Sequence, residues 1–141
     1  MAIKQISVFI ENKEGKLSDV VKLVSEADID IRALSIADTS DFGILRMIVS
    51  DTDKAKEVIC SDFVVKDNDV IAVKMDDKQG ALYNILKCLE ENKINLEYTY
   101  AFTAHEAGAY VVFRVDDVVS AESALSKEGF LLMTEEDIKN I

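Results

Sequence analysis

Two short stretches place polar residues where they could recognise a small charged molecule. One reads Glu11-Asn12-Lys13-Glu14-Gly15-Lys16-Leu17 and the other Asp76-Asp77-Lys78-Gln79-Gly80-Ala81-Leu82. In each, an amide or carboxylate stands three positions before a glycine, and an apolar helical pattern follows. A helix amino terminus presents unpaired backbone N–H groups and the positive end of the helix dipole. Glycine lets a ligand come close because no Cβ intervenes. The combination suits a carboxylate, while Asn12 or Asp77 beside it would hold an ammonium group. Together these features would recognise a free amino acid. The same residues also make an ordinary tight turn whose polar side chains merely cap the helix, and spacing alone leaves both readings open.

No other constellation points to chemistry. His105, the sole histidine, lies in the polar sequence Thr103-Ala104-His105-Glu106 and reads as an exposed hairpin tip. One histidine among scattered acids offers no metal-ligand spacing. Neither cysteine adjoins an activating base, and no glycine-rich phosphate loop is present. Arg32, Arg46 and Arg114 all fall in strand-like segments, so an acyl-phosphate hydrolase with an arginine in its loop is disfavoured. No catalytic residue, metal or cofactor is expected. Cys60 and Cys88 lack C-x-x-C spacing and read as buried free thiols of a reducing compartment. Tyr98, Tyr100 and Phe102 alternate on one sheet face and suit packing across an interface better than stacking on a ligand.

The two stretches are positioned by a duplication. With the sequence shifted by 65 positions, Ile6 meets Ile71, Lys13 meets Lys78, Gly15 meets Gly80, Leu17 meets Leu82, Gly43 meets Gly108 and Asp51 meets Asp116. One inserted residue near Val118 then brings Ile59 onto Leu125. Two units result, residues 1–68 and 69–141.

Each unit reads strand, helix, strand, strand, helix, strand. Residues 3–10 alternate at period two, as a half-buried strand does. Leu17, Val20, Val21 and Val24 form one helical stripe, repeated at Leu82, Ile85, Leu86 and Leu89. Strands are expected at 29–37 and 44–49, then at 94–103 and 109–115. Short helices are expected at 54–60 and 120–126, and closing strands at 63–66 and 130–133. Thr134 should cap a terminal helix. The β-α-β-β-α-β order is the ferredoxin-like arrangement, an α+β fold with two helices on one sheet face. Between Lys66 and Val70 the connection Asp67-Asn68-Asp69 is too short for independent modules.

The chain has 141 residues, 16 basic against 27 acidic, a formal net charge of −11 and no proline. Average usage would supply about seven prolines, so a Pro-rich linker or tail is excluded. The acidic balance argues against nucleic acid and against an anionic membrane surface as partners. No apolar run approaches the ~20 residues of a membrane span, and the amino terminus lacks the apolar core of a signal peptide. A cytoplasmic location is expected.

The doubled pattern, strand–Asx-x-x-Gly-x-Leu–helix–Ile-x-[Ile/Leu]–strand, resembles the ACT domain family. It is carried by Asn12, Gly15, Leu17, Ile29, Asp30 and Ile31, then by Asp77, Gly80, Leu82, Ile94, Asn95 and Leu96. The resemblance spans the whole chain and is greatest to stand-alone tandem ACT proteins, which are amino-acid-sensing regulatory modules. It implies units side by side in an eight-stranded antiparallel sheet with helices on one face, and a ligand at the seam between units. The nominated residues are Asn12, Lys13, Glu14, Gly15, Lys16 and Leu17, then Asp77, Lys78, Gln79, Gly80, Ala81 and Leu82, with Asp30, Ile31, Asn95 and Leu96 opposite. The family commonly has proline before the turn glycine, where this chain has Glu14 and Gln79. Glu14, an anion beside an anion site, would repel or mimic the ligand, and Asp77 pairs with an ammonium more strongly than Asn12. A non-catalytic regulator is therefore expected, binding a free amino acid and acting on an enzyme of amino-acid metabolism or another partner, as a homodimer. The alternative is a structural pairing module without a ligand.

Overall fold

The computed structural model describes every residue except Met1, His105 and Ala107, so the expected hairpin tip at His105 lies outside the described residues. Six strands and five helices run in the order β1 Ile3–Glu11, α1 Lys16–Glu26, β2 Ile31–Asp38, β3 Phe42–Val49, α2 Thr52–Ile59, β4 Val64–Met75, α3 Ala81–Glu91, β5 Leu96–Ala104, β6 Gly108–Val115, α4 Val118–Lys127 and α5 Glu135–Asn140. Antiparallel pairing joins β1 and β2 each to β3, and β4 and β5 each to β6. Six strands replace the eight expected, for two reasons.

First, the segment Asp67-Asn68-Asp69, expected as a connection, lies inside the single strand β4. Three consecutive polar residues read as a loop because an unpaired polar group in a sheet is costly. Here each finds a partner. Asp67 pairs with Lys56 at 3.1 Å, Asn68 Oδ1 accepts from Gln5 Nε2 at 3.3 Å and from Ser7 Oγ at 3.4 Å, and the Asp69 carbonyl accepts from Arg114 at 2.7 Å. Second, the expected closing strand at 130–133 is reduced to an isolated antiparallel bridge between Leu132 and Val73. It is flanked by bonds from Lys74 N–H to Leu131 O at 2.9 Å and from Met133 N–H to Ala72 O at 2.8 Å.

The chain divides into two compact units, Lys4–Asn68 and Asp69–Ile141, with Ile3 grouped with the latter. The first buries Ile6, Val8, Ile10, Val20, Val24, Leu45, Met47, Ala55 and Ile59 around one core. The second does the same with Ile71, Val73, Ile85, Leu89, Val111, Phe113, Ala121 and Leu125. In the helical stripes Val20, Val24, Ile85 and Leu89 are buried and Val21 and Leu86 half-buried, but Leu17 and Leu82 are 40% and 41% exposed. Tyr98, Tyr100 and Phe102 are half-buried and alternate with exposed residues along β5. The Phe102 ring stacks on Tyr110 with centroids 5.4 Å apart.

The strand registers move the inserted residue. β2 and β3 pair Asp38 with Gly43, whereas β5 and β6 pair Thr103 with Ala109. The extra residue therefore precedes β6 instead of standing near Val118, and the structural counterpart of Gly43 is Ala109, not Gly108. The caps agree. Asp51 accepts from the Lys54 N–H and Asp117 from the Ser120 N–H, both at 3.1 Å, so Asp51 corresponds to Asp117 and Ser50 to Asp116. Ser50 Oγ accepts from the Asp30 N–H at 3.0 Å as Asp116 Oδ1 accepts from the Asn95 N–H at 3.1 Å. Asp51 and Asp117 are the caps of α2 and α4. Of the two cysteines, Cys88 is buried as expected and Cys60 is exposed. Cys60 ends α2 on the solvent side, its thiol donating to the Glu57 carbonyl at 3.2 Å.

Candidate functional site

Helices α1 and α3 begin differently from the other three. Each has a glycine at its cap, Gly15 with φ 82° and Gly80 with φ 83°, and neither has a side-chain cap. By contrast, Asp51, Asp117 and Thr134 cap α2, α4 and α5. A left-handed cap costs an L side chain roughly 1–2 kcal/mol, so glycine belongs there. The Lys16 and Ala81 amides return to Lys13 O and Lys78 O at 3.3 Å, and those of Asp19 and Asn84 bond to the cap carbonyls of Gly15 and Gly80. The positive helix ends are thus not neutralised by a capping side chain. Of the two readings left open above, the one in which polar side chains cap these helices does not hold.

A concavity opens at each turn. In the second unit it has a volume of about 430 Å³ and is lined by Met75, Asp76, Asp77, Lys78, Gly80, Ala81, Leu82, Tyr83, Leu86 and Ala109. In the first unit it measures about 180 Å³ and is lined by Ile10, Glu11, Asn12, Lys13, Leu17, Ile36, Asp38 and Gly43. With the corrected register, Ile10, Glu11, Asn12, Lys13, Leu17 and Gly43 correspond to Met75, Asp76, Asp77, Lys78, Leu82 and Ala109. The partial exposure of Leu17 and Leu82 follows, since both face their concavity as well as the helical stripe.

The two turns differ in how their polar groups are used. Asn12 donates through Nδ2 to Asp38 Oδ1 and to the Thr39 carbonyl, both at 3.5 Å, and its backbone N–H donates to Asp41 O at 2.9 Å. Lys13 pairs with Glu11 at 2.9 Å, and that hydrogen bond holds the Glu11 carboxyl below and the Lys13 ammonium above their ordinary ranges. In the second turn Lys78 stands farther from Asp76, at 3.8 Å. There, Thr103 replaces Asp38, so the carboxylate that engages Asn12 has no like counterpart.

The nominated residues separate into three groups. Asn12, Lys13 and Leu17 line the first concavity, and Asp77, Lys78, Gly80, Ala81 and Leu82 the second. Glu14, Gly15, Lys16 and Gln79 belong to the turns without lining either. Asp30, Ile31, Asn95 and Leu96 also line neither: Ile31 and Leu96 begin β2 and β5, and Asp30 and Asn95 just before them accept through their carbonyls from the Ser50 and Asp116 N–H groups. The nominations missed Met75, Asp76, Tyr83, Leu86 and Ala109 of the second concavity, and Ile10, Glu11, Ile36, Asp38 and Gly43 of the first. Leu86 carried a signal, its place in the helical stripe, but that signal equally describes a core residue.

Among the described residues there is no metal-binding group of acids, histidines and cysteines. No helix among them is long and apolar enough to cross a membrane.

Comparison with known proteins agrees with the fold. The profile of the ACT domain pair family matches residues 1–141. A crystal structure of a protein from Bacteroides thetaiotaomicron is similar at 34% identity, with a TM-score of 0.92, covering 100% of this chain and 98% of that one. The regulatory subunit of aspartate kinase from Thermus thermophilus, in its ligand-free form, is similar at 14% identity with a TM-score of 0.62, covering 87% and 88%. The regulatory subunit of aspartate kinase from Thermus flavus gives 13% identity and a TM-score of 0.61, covering 88% and 90%. Likeness at those two identities is one of fold. Among curated proteins none matches significantly. The chain belongs to the ACT domain pair family.

Proposed function

We propose that the chain is a non-catalytic regulatory protein that binds a free amino acid at its strand–helix turns, with the turn at Asp77–Leu82 forming the tighter site. The observation that carries this reading is the second concavity, where the uncapped start of α3 lies beside the Asp77 carboxylate in a space of about 430 Å³. The backbone N–H groups and helix dipole attract the ligand carboxylate, and Asp77 accepts from the ammonium in a charge-assisted hydrogen bond. Binding that favours one arrangement of ACT modules over others transmits the ligand concentration. A homodimer would let the second strand of a neighbouring module, with Asp30 and Ile31 or Asn95 and Leu96, complete the site. The fold likeness to regulatory subunits of aspartate kinase supports an enzyme of amino-acid metabolism as the target.

A thermal-shift screen against the twenty amino acids tests the reading. A ligand at about 100 times its dissociation constant stabilises by roughly 2.7 kcal/mol, and Asp77→Ala should abolish most of that shift. A flat screen, or undiminished binding by Asp77→Ala, defeats the assignment. The second reading, a pairing module without a ligand, is favoured by one feature of the first turn. Asn12 and Lys13 there are already bonded within the protein, as they would be in a turn that serves only structure.

A further inference from the structure

We infer that the concavity at Asp77–Leu82 selects amino acids with a neutral, apolar side chain. This deepens the proposal above and rests on it. The inference concerns the walls of the concavity rather than the helix start. Met75 and Leu86 pack against the core of the second unit and also face the space. Ala109 stands opposite Met75 across the β4–β6 ladder, and Leu82 is 41% exposed at the same concavity.

The charged groups sit together, on Asp76, Asp77 and Lys78, and the one cation lies 3.8 Å from Asp76. A ligand side chain lying along Met75, Leu86 and Ala109 meets apolar side chains, with Tyr83 the one uncharged polar side chain on the wall, and burying a polar or charged group without a partner is costly. An acidic side chain turned the other way meets the carboxylates of Asp76 and Asp77, with Lys78 paired to Asp76 at 3.8 Å, and like charges in an interface disfavour the wrong partner. The first unit places Asp38 on its concavity, whereas Thr103, the residue at that place in the second unit, does not line the larger space. The second concavity is thus the larger of the two, about 430 Å³ against about 180 Å³, and carries no counterpart of Asp38 on its wall.

The test measures thermal stability of the full chain with L-leucine, L-methionine and L-phenylalanine, against L-aspartate, L-glutamate and L-glutamine at equal concentration. A rise in Tm with the first three and none with the last three is the expected result. An equal or larger rise with aspartate, glutamate or glutamine overturns the apolar selectivity while leaving the amino-acid reading intact. No rise with any of the twenty amino acids overturns the amino-acid reading itself, and the selectivity falls with it. Leu82→Ala, a change at a partly exposed position, should weaken the best apolar ligand by about tenfold, as loss of apolar contact in a pocket does. Unchanged affinity in a variant of unaltered unliganded Tm removes Leu82 from the wall and overturns the inference.

Discussion

Ala109 occupies in the second unit the place that Gly43 occupies in the first, each opposite a residue of its partner strand that packs on the core, Met75 for Ala109 and Ile10 for Gly43. A Cβ built on Gly43 would lie 3.6 Å from the Ala37 carbonyl and 3.6 Å from Ile10 Cγ1, ordinary contact distances. Glycine is therefore not required there. Gly43→Ala should raise stability by roughly 0.4–1 kcal/mol by restricting the unfolded chain, read from thermal or urea denaturation. A loss of stability would contradict the register that equates the two residues.

Gly80 behaves oppositely. A Cβ there meets nothing within 4 Å, yet the backbone holds φ at 83°. The cost of Gly80→Ala is thus conformational, about 1 kcal/mol, with no steric part. Gly80→Asn should recover part of the loss, because asparagine tolerates the left-handed region better than alanine. Equal destabilisation by alanine and asparagine would point to a clash instead.

The fold was legible because the duplication repeats the hydrophobic periods that build it, and both turn glycines mark helix starts that only glycine adopts without strain. The position of the insertion was not. Matching Gly43 to Gly108 and Asp51 to Asp116 follows residue identity, but the hydrogen-bond ladder and the Asp117 cap decide the register, and neither is visible in residue types. The strand through Asp67, Asn68 and Asp69 was hidden for a similar reason, since their partners Lys56, Gln5, Ser7 and Arg114 are distant in sequence. At the site, the turn residues were found from their spacing. The walls were not, because Leu86 and Met75 look like core residues in the sequence and are partly that.

Asp28 and Lys93 end α1 and α3 in the left-handed conformation, with φ 60° and 58°. Their N–H groups bond to Ser25 O and Glu90 O, and the next N–H groups, of Ile29 and Ile94, to Val24 O and Leu89 O. This is the Schellman arrangement, which favours glycine. Lys93→Gly should stabilise by about 1 kcal/mol, or about 2–4 °C in Tm for a chain of this size. Differential scanning calorimetry of the variant checks it, and a fall in Tm would count against the motif.

The two cysteines should separate under alkylation. Cys60 is exposed, whereas Cys88 is buried with its thiol directed to the Ala124 carbonyl at 3.6 Å. Burial, with Glu128 and Glu91 nearby, pushes the Cys88 thiol up from its ordinary value, which lowers its thiolate fraction and its reactivity. Iodoacetamide under native conditions should label one site, Cys60, and a second only on unfolding. Mass spectrometry of tryptic peptides resolves the two, and rapid native labelling of Cys88 would refute its burial.

Stability should also fall in acid through three named carboxylates. Hydrogen bonding to Lys56 lowers the Asp67 pKa, bonds from Ser120 lower that of Asp117, and bonds from Thr134 lower that of Asp137. A carboxyl whose folded pKa lies below its unfolded value contributes stability that is fully present above the unfolded pKa. That stability is lost as pH falls through the folded one. The folded chain therefore binds fewer protons than the unfolded chain in this window, and Tm should drop between about pH 5 and about pH 3. Asp137→Asn keeps the size of the Thr134 partner while removing its titration, so the variant should start less stable at neutral pH and lose less on acidification. Asp117→Asn should act similarly at α4. Thermal melts at several pH values decide the matter, and variants whose acid loss equals that of the parent chain would show that these two carboxylates do not drive it.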